Sequence, residues 1–167
     1  IEAFKMAQEE IDATLVLLGS IATDDPEGQK VYQSLLDSRE ERIIILAKED
    51  TALVNALQTR SAVVLQKSIR EGFGLTVTEA MWKGTPVIGG SVGGIKHQIH
   101  DGENGYLVSS IEEAAEKIVT LIEDPDLREE MGQKARKSVR DDYLMIRLLE
   151  QYLDLLDNFE TSYSYRE

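Results

Sequence analysis

Two glutamates eight positions apart, Glu71 and Glu79, frame a glycine turn in the stretch Arg70-Glu71-Gly72-Phe73-Gly74-Leu75-Thr76-Val77-Thr78-Glu79-Ala80-Met81. Carboxylate oxygens accept hydrogen bonds from hydroxyl groups and make poor partners for phosphate. The turn between them has the opposite chemistry. A chain that leaves a strand, turns at glycine and opens a helix carries unpaired main-chain N–H groups at the positive end of the helix dipole, which suits an anion. Together the two features suit a ligand that bears both hydroxyls and phosphates, as a nucleotide sugar does. Gly72 and Gly74 are expected to let the backbone approach such a ligand and to take torsions that a Cβ hinders. On spacing alone, Glu79 reads equally well as a solvated helix residue, because short glycine motifs recur in many unrelated chains.

The elements that must position these residues are legible on either side. A short apolar run at 62–66 reads as a strand entering the turn, and 75–83 reads as the helix leaving it. Upstream, helical spacing at 1–11 precedes an apolar strand pattern at 14–19, a turn-rich loop at 23–28, a helix at about 29–37 and a second strand pattern at 42–46. Asp50 is placed to cap a helix that runs to Arg60. Downstream come a strand at 85–90, a second glycine loop at Gly93-Gly94, a turn at 101–105 and a short strand at 106–108. The last third carries three apolar stripes at helical spacing, the third of them Leu144, Leu148, Leu149, Tyr152, Leu153 and Leu156. All three read as core. Alternating strands and helices predict an α/β, doubly wound, Rossmann-like domain over 1–158, with a flexible tail at 159–167.

Composition narrows the function. With 42% hydrophobic and 29% charged residues, the 167-residue chain is of the soluble globular type. No stretch is long and apolar enough to span a membrane. The absence of cysteine fits a reducing, cytoplasmic setting, and two histidines, His97 and His100, make a histidine-based metal site a poor expectation. The net charge of −13 argues against nucleic acid. The charge is uneven: residues 66–100 hold Lys67, Arg70, Lys83 and Lys96 against Glu71 and Glu79, a net of +2 that leaves −15 for the remainder. Seven of the twelve glycines fall in the same window, as expected of a patch that receives a small anionic ligand.

The stretch 68–81 resembles the E-x7-E signature of retaining glycosyltransferases with the GT-B fold. Gly84-Thr85-Pro86-Val87-Ile88-Gly89, Val92-Gly93-Gly94-Ile95 and Asp101-Gly102-Glu103-Asn104-Gly105-Tyr106-Leu107-Val108 are similar to that family at the matching places, so the likeness covers residues 14 to about 156. Thr23-Asp24-Asp25-Pro26-Glu27-Gly28 and Ile95-Lys96-His97-Gln98-Ile99 resemble the trehalose synthase subgroup. Most relatives carry Pro-Glu where this chain has Lys96-His97. The resemblance implies transfer of glucose from a nucleoside diphosphate glucose to glucose. Trehalose phosphorolysis, another retaining transfer of the glycogen or sucrose synthase type, and a non-catalytic nucleotide-sugar-binding module are the alternatives.

Carried over by position, the resemblance gives Glu71 the catalytic place at the transferred sugar's hydroxyls and Glu79 the ribose hydroxyls. The N–H groups of Phe73, Gly74, Leu75 and Thr76, beside Gly72, would meet the diphosphate. Leu46, Ala47 and Lys48 would read the base edge, and Arg70 would add charge. No metal and no cofactor is expected, because the helix dipole and cations can stabilise a leaving diphosphate. The family's domain begins with one more strand, central in the order 3-2-1-4-5-6. This sequence starts at the helix that follows it, so the expectation is a fragment that lacks that strand and an N-terminal acceptor domain. A sheet without its middle strand exposes two edges, which upstream residues, a partner chain (a second copy, by dimerisation or strand exchange) or a rearranged strand is expected to fill.

Overall fold

The computed structural model describes residues 1–19, 26–37 and 41–164. The elements are α1 (Glu2–Ala7), β1 (Leu15–Gly19), α2 (Pro26–Asp37), β2 (Ile43–Ala47), α3 (Thr51–Arg60), β3 (Val64–Gln66), α4 (Leu75–Trp82), β4 (Val87–Gly90), α5 (Ile95–Gln98), β5 (Tyr106–Val108), α6 (Ile111–Glu123), α7 (Pro125–Asp142) and α8 (Met145–Ser164). Every strand pair is parallel. Of the turn expected at 23–28, residues 23–25 lie outside the described residues and 26–28 form the start of α2, ahead of the helix start expected at about 29. No described helix is long and apolar enough to cross a membrane.

Five parallel strands form two sheets. β1 pairs with β2, in register from Leu15 opposite Ile43 to Gly19 opposite Ala47. β4 lies at the centre of a second sheet ordered β3-β4-β5. Among the described residues no strand pairing joins the two sheets.

The core belongs to the second sheet, whose middle strand β4 is buried throughout. Successive residues of a strand point to opposite faces. Accordingly, Ile88 joins Val108 in a cluster with Ala7, Ala115, Ile118 and Leu121 from α1 and α6. Val87 joins Val77, Met81, Ile95, Ala135 and Val139 from α4, α5 and α7 on the other side. Helices thus cover both faces, as parallel sheets require.

Local signals explain the helix boundaries. Asp50 caps α3 by accepting from the Leu53 N–H at 2.9 Å. Ser110 and Glu113 form a reciprocal capping box on α6, and Asp124 with Pro125 starts α7. Three readings need correction. The apolar run at 14–19 reads as a buried strand, yet β1 is only partly buried and its partner β2 leaves Ile44 46% exposed, because among the described residues no buried core side chain comes from β1 or β2. The opening helix stops at Ala7, although Ile11 is still buried beyond it. The third apolar stripe is not core: Leu148, Leu149, Tyr152, Leu153 and Leu156 are all exposed on α8. Helical periodicity reports an apolar face, whereas burial needs a partner surface, and the described residues offer α8 none. The α8 backbone also stays helical to Ser164, past the boundary set at 158.

Candidate functional site

The glycine turn is built as its sequence implies, but its two glycines differ. Gly74 is the residue before α4 and sits in the left-handed region at φ 90°, ψ 59°. A Cβ there would stand 3.2 Å from Ile95 and 3.4 Å from the Glu71 side chain. Gly72 does not adopt positive φ and has open space where a Cβ would be, so the expectation of a special torsion fails there. Close approach is instead required in the second glycine loop. A Cβ on Gly93, itself at φ 48°, would collide with the Glu71 carbonyl, and one on Gly94 would crowd the Gly72 and Phe73 carbonyls. The Gly94 N–H also donates to the Gly72 carbonyl at 2.8 Å. The second loop therefore supports the first from behind.

α5 and α7 complete that support. Gln98, 1% exposed, donates from Nε2 to the Phe73 carbonyl at 2.5 Å. Its Oε1 has no partner among the described residues. The Phe73 ring meets Tyr143 edge to face at 5.9 Å, and Tyr143 Oη donates to the His97 carbonyl at 2.8 Å. Burial, with a smaller contribution from the Asp142 charge, raises the Tyr143 pKa and so keeps that phenol a donor. Among the described residues, no hydrogen bond uses the N–H groups of Phe73, Gly74, Leu75 or Thr76. Those four donors are available to an anion.

Glu71 and Glu79 share one arrangement. Gln66 Nε2 and Ser68 Oγ each donate to Glu71 Oε2 at 3.3 Å. Gln58 Nε2 donates to Glu79 Oε2 at 3.1 Å. Among the described residues, nothing hydrogen-bonds to Oε1 of either carboxylate, and neither forms an ion pair. Each is oriented by neutral donors through one oxygen and keeps the other for a hydroxyl donor.

The remaining expected residues are less concentrated. Arg70 is exposed without an ion pair among the described residues, and so is Lys96 on α5. Lys67 is exposed as well. The Glu112 carboxyl is held below its ordinary value chiefly by its own main-chain N–H, then by Ser110, with Lys67 contributing. His97 and His100 are both exposed. At the end of β2, the Lys48 N–H donates to the Leu46 carbonyl at 3.1 Å, which occupies two of the main-chain groups expected to read a base, and Lys48 Nζ pairs with Asp50 at 2.9 Å. Gln58 carried no signal in sequence, and Gln98 only its place in the stretch 95–99. Each stands out only as a buried glutamine bonded to a residue more than 20 positions away.

Residues 1–138 match the family described as glycosyl transferases group 1. The chain belongs to this family. Among relatives, it is 46% identical over 164 residues to a trehalose synthase of Pyrococcus horikoshii and 43% identical over 161 residues to one of Rubrobacter xylanophilus. Those alignments cover 95% and 93% of this chain but 40% and 38% of the relatives. The chain thus spans about 40% of the length of the curated relatives it matches.

Two solved structures show the same architecture. The C-terminal domain of a glycosyl transferase group 1 protein from Francisella tularensis superposes with a TM-score of 0.73 at 28% identity, covering 86% of this chain and 79% of that one. An Anabaena protein solved with UDP and glucose gives a TM-score of 0.79 at 23% identity, covering 94% and 44%. The α/β fold with parallel sheets is therefore that of the C-terminal domains of GT-B glycosyltransferases.

Proposed function

We propose that this chain forms the donor-binding half of a retaining glucosyltransferase that moves glucose from a nucleoside diphosphate glucose onto free glucose, giving trehalose. The observation that carries the reading is the pair of half-engaged carboxylates on either side of four unpaired N–H groups. Glu71 takes the hydroxyls of the transferred sugar and Glu79 those of the ribose. The N–H groups of residues 73–76 hold the diphosphate, and Arg70 adds positive charge at the turn. The helix dipole and these donors stabilise the leaving diphosphate, so the reading calls for no metal. Identity of 43–46% to trehalose synthases supports the choice of acceptor.

The reading includes a partner for the split fold. One more strand, from an upstream segment or from a second copy by strand exchange, sits between the two sheets, and an N-terminal domain supplies the acceptor pocket. The setting is cytoplasmic. Phosphorolysis of trehalose is the second reading, favoured by 33% identity over 138 residues to a trehalose phosphorylase of Grifola frondosa. One experiment separates the two. The full-length protein is incubated with ADP-, UDP- or GDP-glucose plus glucose, and in parallel with trehalose plus phosphate. Trehalose formed only in the first arm supports the synthase. Glucose 1-phosphate formed only in the second supports the phosphorylase, and no turnover in either overturns both.

A further inference from the structure

We infer that Gln58 is a positioning residue for nucleotide binding, setting the direction of the Glu79 carboxylate from a different helix. This rests on the reading that Glu79 receives the ribose hydroxyls. Gln58 lies near the end of α3, is 5% exposed, and makes three specific contacts. Its Nε2 donates to Glu79 Oε2 at 3.1 Å. Its Oε1 accepts from Lys83 Nζ at 2.8 Å. Its main-chain carbonyl accepts from the buried Thr85 hydroxyl at 2.5 Å.

The chemistry permits only one orientation of the amide. Lys83 has donors and no acceptor, so it requires Oε1, and the carboxylate then faces the NH₂. Lys83 Nζ also donates to the Glu79 main-chain carbonyl at 3.2 Å, which holds the ammonium on the last turn of α4. Lys83 and the Glu79 carboxylate do not form an ion pair among the described residues. The neutral amide stands between them. A direct ammonium contact would compete with ligand hydroxyls for the carboxylate, whereas an amide fixes one oxygen and leaves the other to accept. The Thr85 bond engages the main chain, so a side-chain substitution at Gln58 removes the positioning contact and keeps that anchor.

The test removes the donor and reads the ribose contact. Gln58→Met keeps the length and loses the N–H. Gln58→Glu keeps the shape but turns a carboxylate toward Glu79, and Lys83 at its other oxygen favours the charged form. Binding of ADP and of 2′,3′-dideoxy-ADP is measured by calorimetry on the full-length protein. Circular dichroism verifies folding. Both variants are expected to bind ADP about tenfold more weakly than wild type, the scale of a lost hydrogen bond to a charged group, and to bind dideoxy-ADP as wild type does. A purely structural role weakens both ligands alike. Equal losses for the two ligands, or wild-type ADP affinity in either folded variant, overturn the inference. Glu79→Ala serves as the control: if that variant binds nucleotide normally, the ribose reading itself falls, whereas silence of the Gln58 variants alone removes only the role of Gln58.

Discussion

Gln98 and Phe73, 25 residues apart, are joined by a 2.5 Å hydrogen bond from a buried side-chain amide to a main-chain carbonyl. The bond fastens α5 to the turn that opens α4. The shape of the anion-binding turn is therefore decided partly by a helix of four residues in the following segment.

Gln98→Leu keeps approximate volume, removes this bond, and also removes the unpartnered Oε1. Those two effects oppose each other in stability, so the melting temperature is expected to move little. Nucleotide affinity is expected to fall about fivefold, because the turn must then be ordered by the ligand. A calorimetric titration alongside a thermal melt checks both halves of the statement.

Gly93→Ala places a methyl group against the Glu71 carbonyl at a backbone angle that L-residues disfavour. A cost of about 2–4 kcal/mol in unfolding free energy is expected, from overpacking and left-handed backbone together. Gly72→Ala, in open space and without positive φ, is expected to cost under about 1 kcal/mol. Urea denaturation of the two variants reads the contrast. Here the glycine pattern identified the loop but not which glycine bears the constraint. That depends on a backbone segment some twenty residues away, which no local pattern encodes.

Glu79→Ala is expected to weaken binding of a nucleoside diphosphate by about 1–3 kcal/mol in calorimetry, the scale of a lost hydrogen bond to a charged group. Glu71→Gln retains the shape and an acceptor oxygen. It is expected to spare nucleotide affinity while lowering sugar transfer at least tenfold, if Glu71 addresses only the sugar.

The Asp50 carboxyl titrates below its ordinary value, chiefly because Lys48 donates to it, with the Leu53 N–H next. A lowered folded value means the contribution is complete above the unfolded pKa and is lost as pH falls through the folded one, that is, below about pH 4. Asp50→Asn is expected to flatten the acid limb of the stability curve in that range and to retain capping of α3. Denaturation midpoints between about pH 2 and 6 provide the measurement.

Leu121→Ala, at a site with no exposure, is expected to cost about 2–5 kcal/mol, whereas Leu149→Ala on α8 is expected to cost under about 1 kcal/mol in the 167-residue chain. Thermal melts of the two variants distinguish them. The pair also marks what sequence could convey. Leu149 lies on a clean helical stripe, as do the buried Ala115 and Ile118 of α6, and periodicity treats the two faces alike. The cap at Asp50 was legible because a cap is settled within four residues. The engagement of Gln58 and Gln98, and the fate of the α8 face, are settled by contacts distant in sequence. The glutamate pair falls between these cases: its spacing was visible, and the one-sided anchoring of each carboxylate was not.

The division of five parallel strands into two sheets has a consequence for how the chain opens. Buried side chains cluster around β4, while among the described residues β1 and β2 add none to the core. Amide protons of β4 should thus exchange with solvent only on global unfolding, and those of β1 and β2 through cheaper, local openings. Hydrogen exchange should resolve two protection classes along one polypeptide. The slow class contains the strand beneath the glycine turns, and the fast class contains the strand end proposed to read the base. Recognition of the nucleotide would then join a rigid anion cradle to a compliant wall that the ligand itself helps to order.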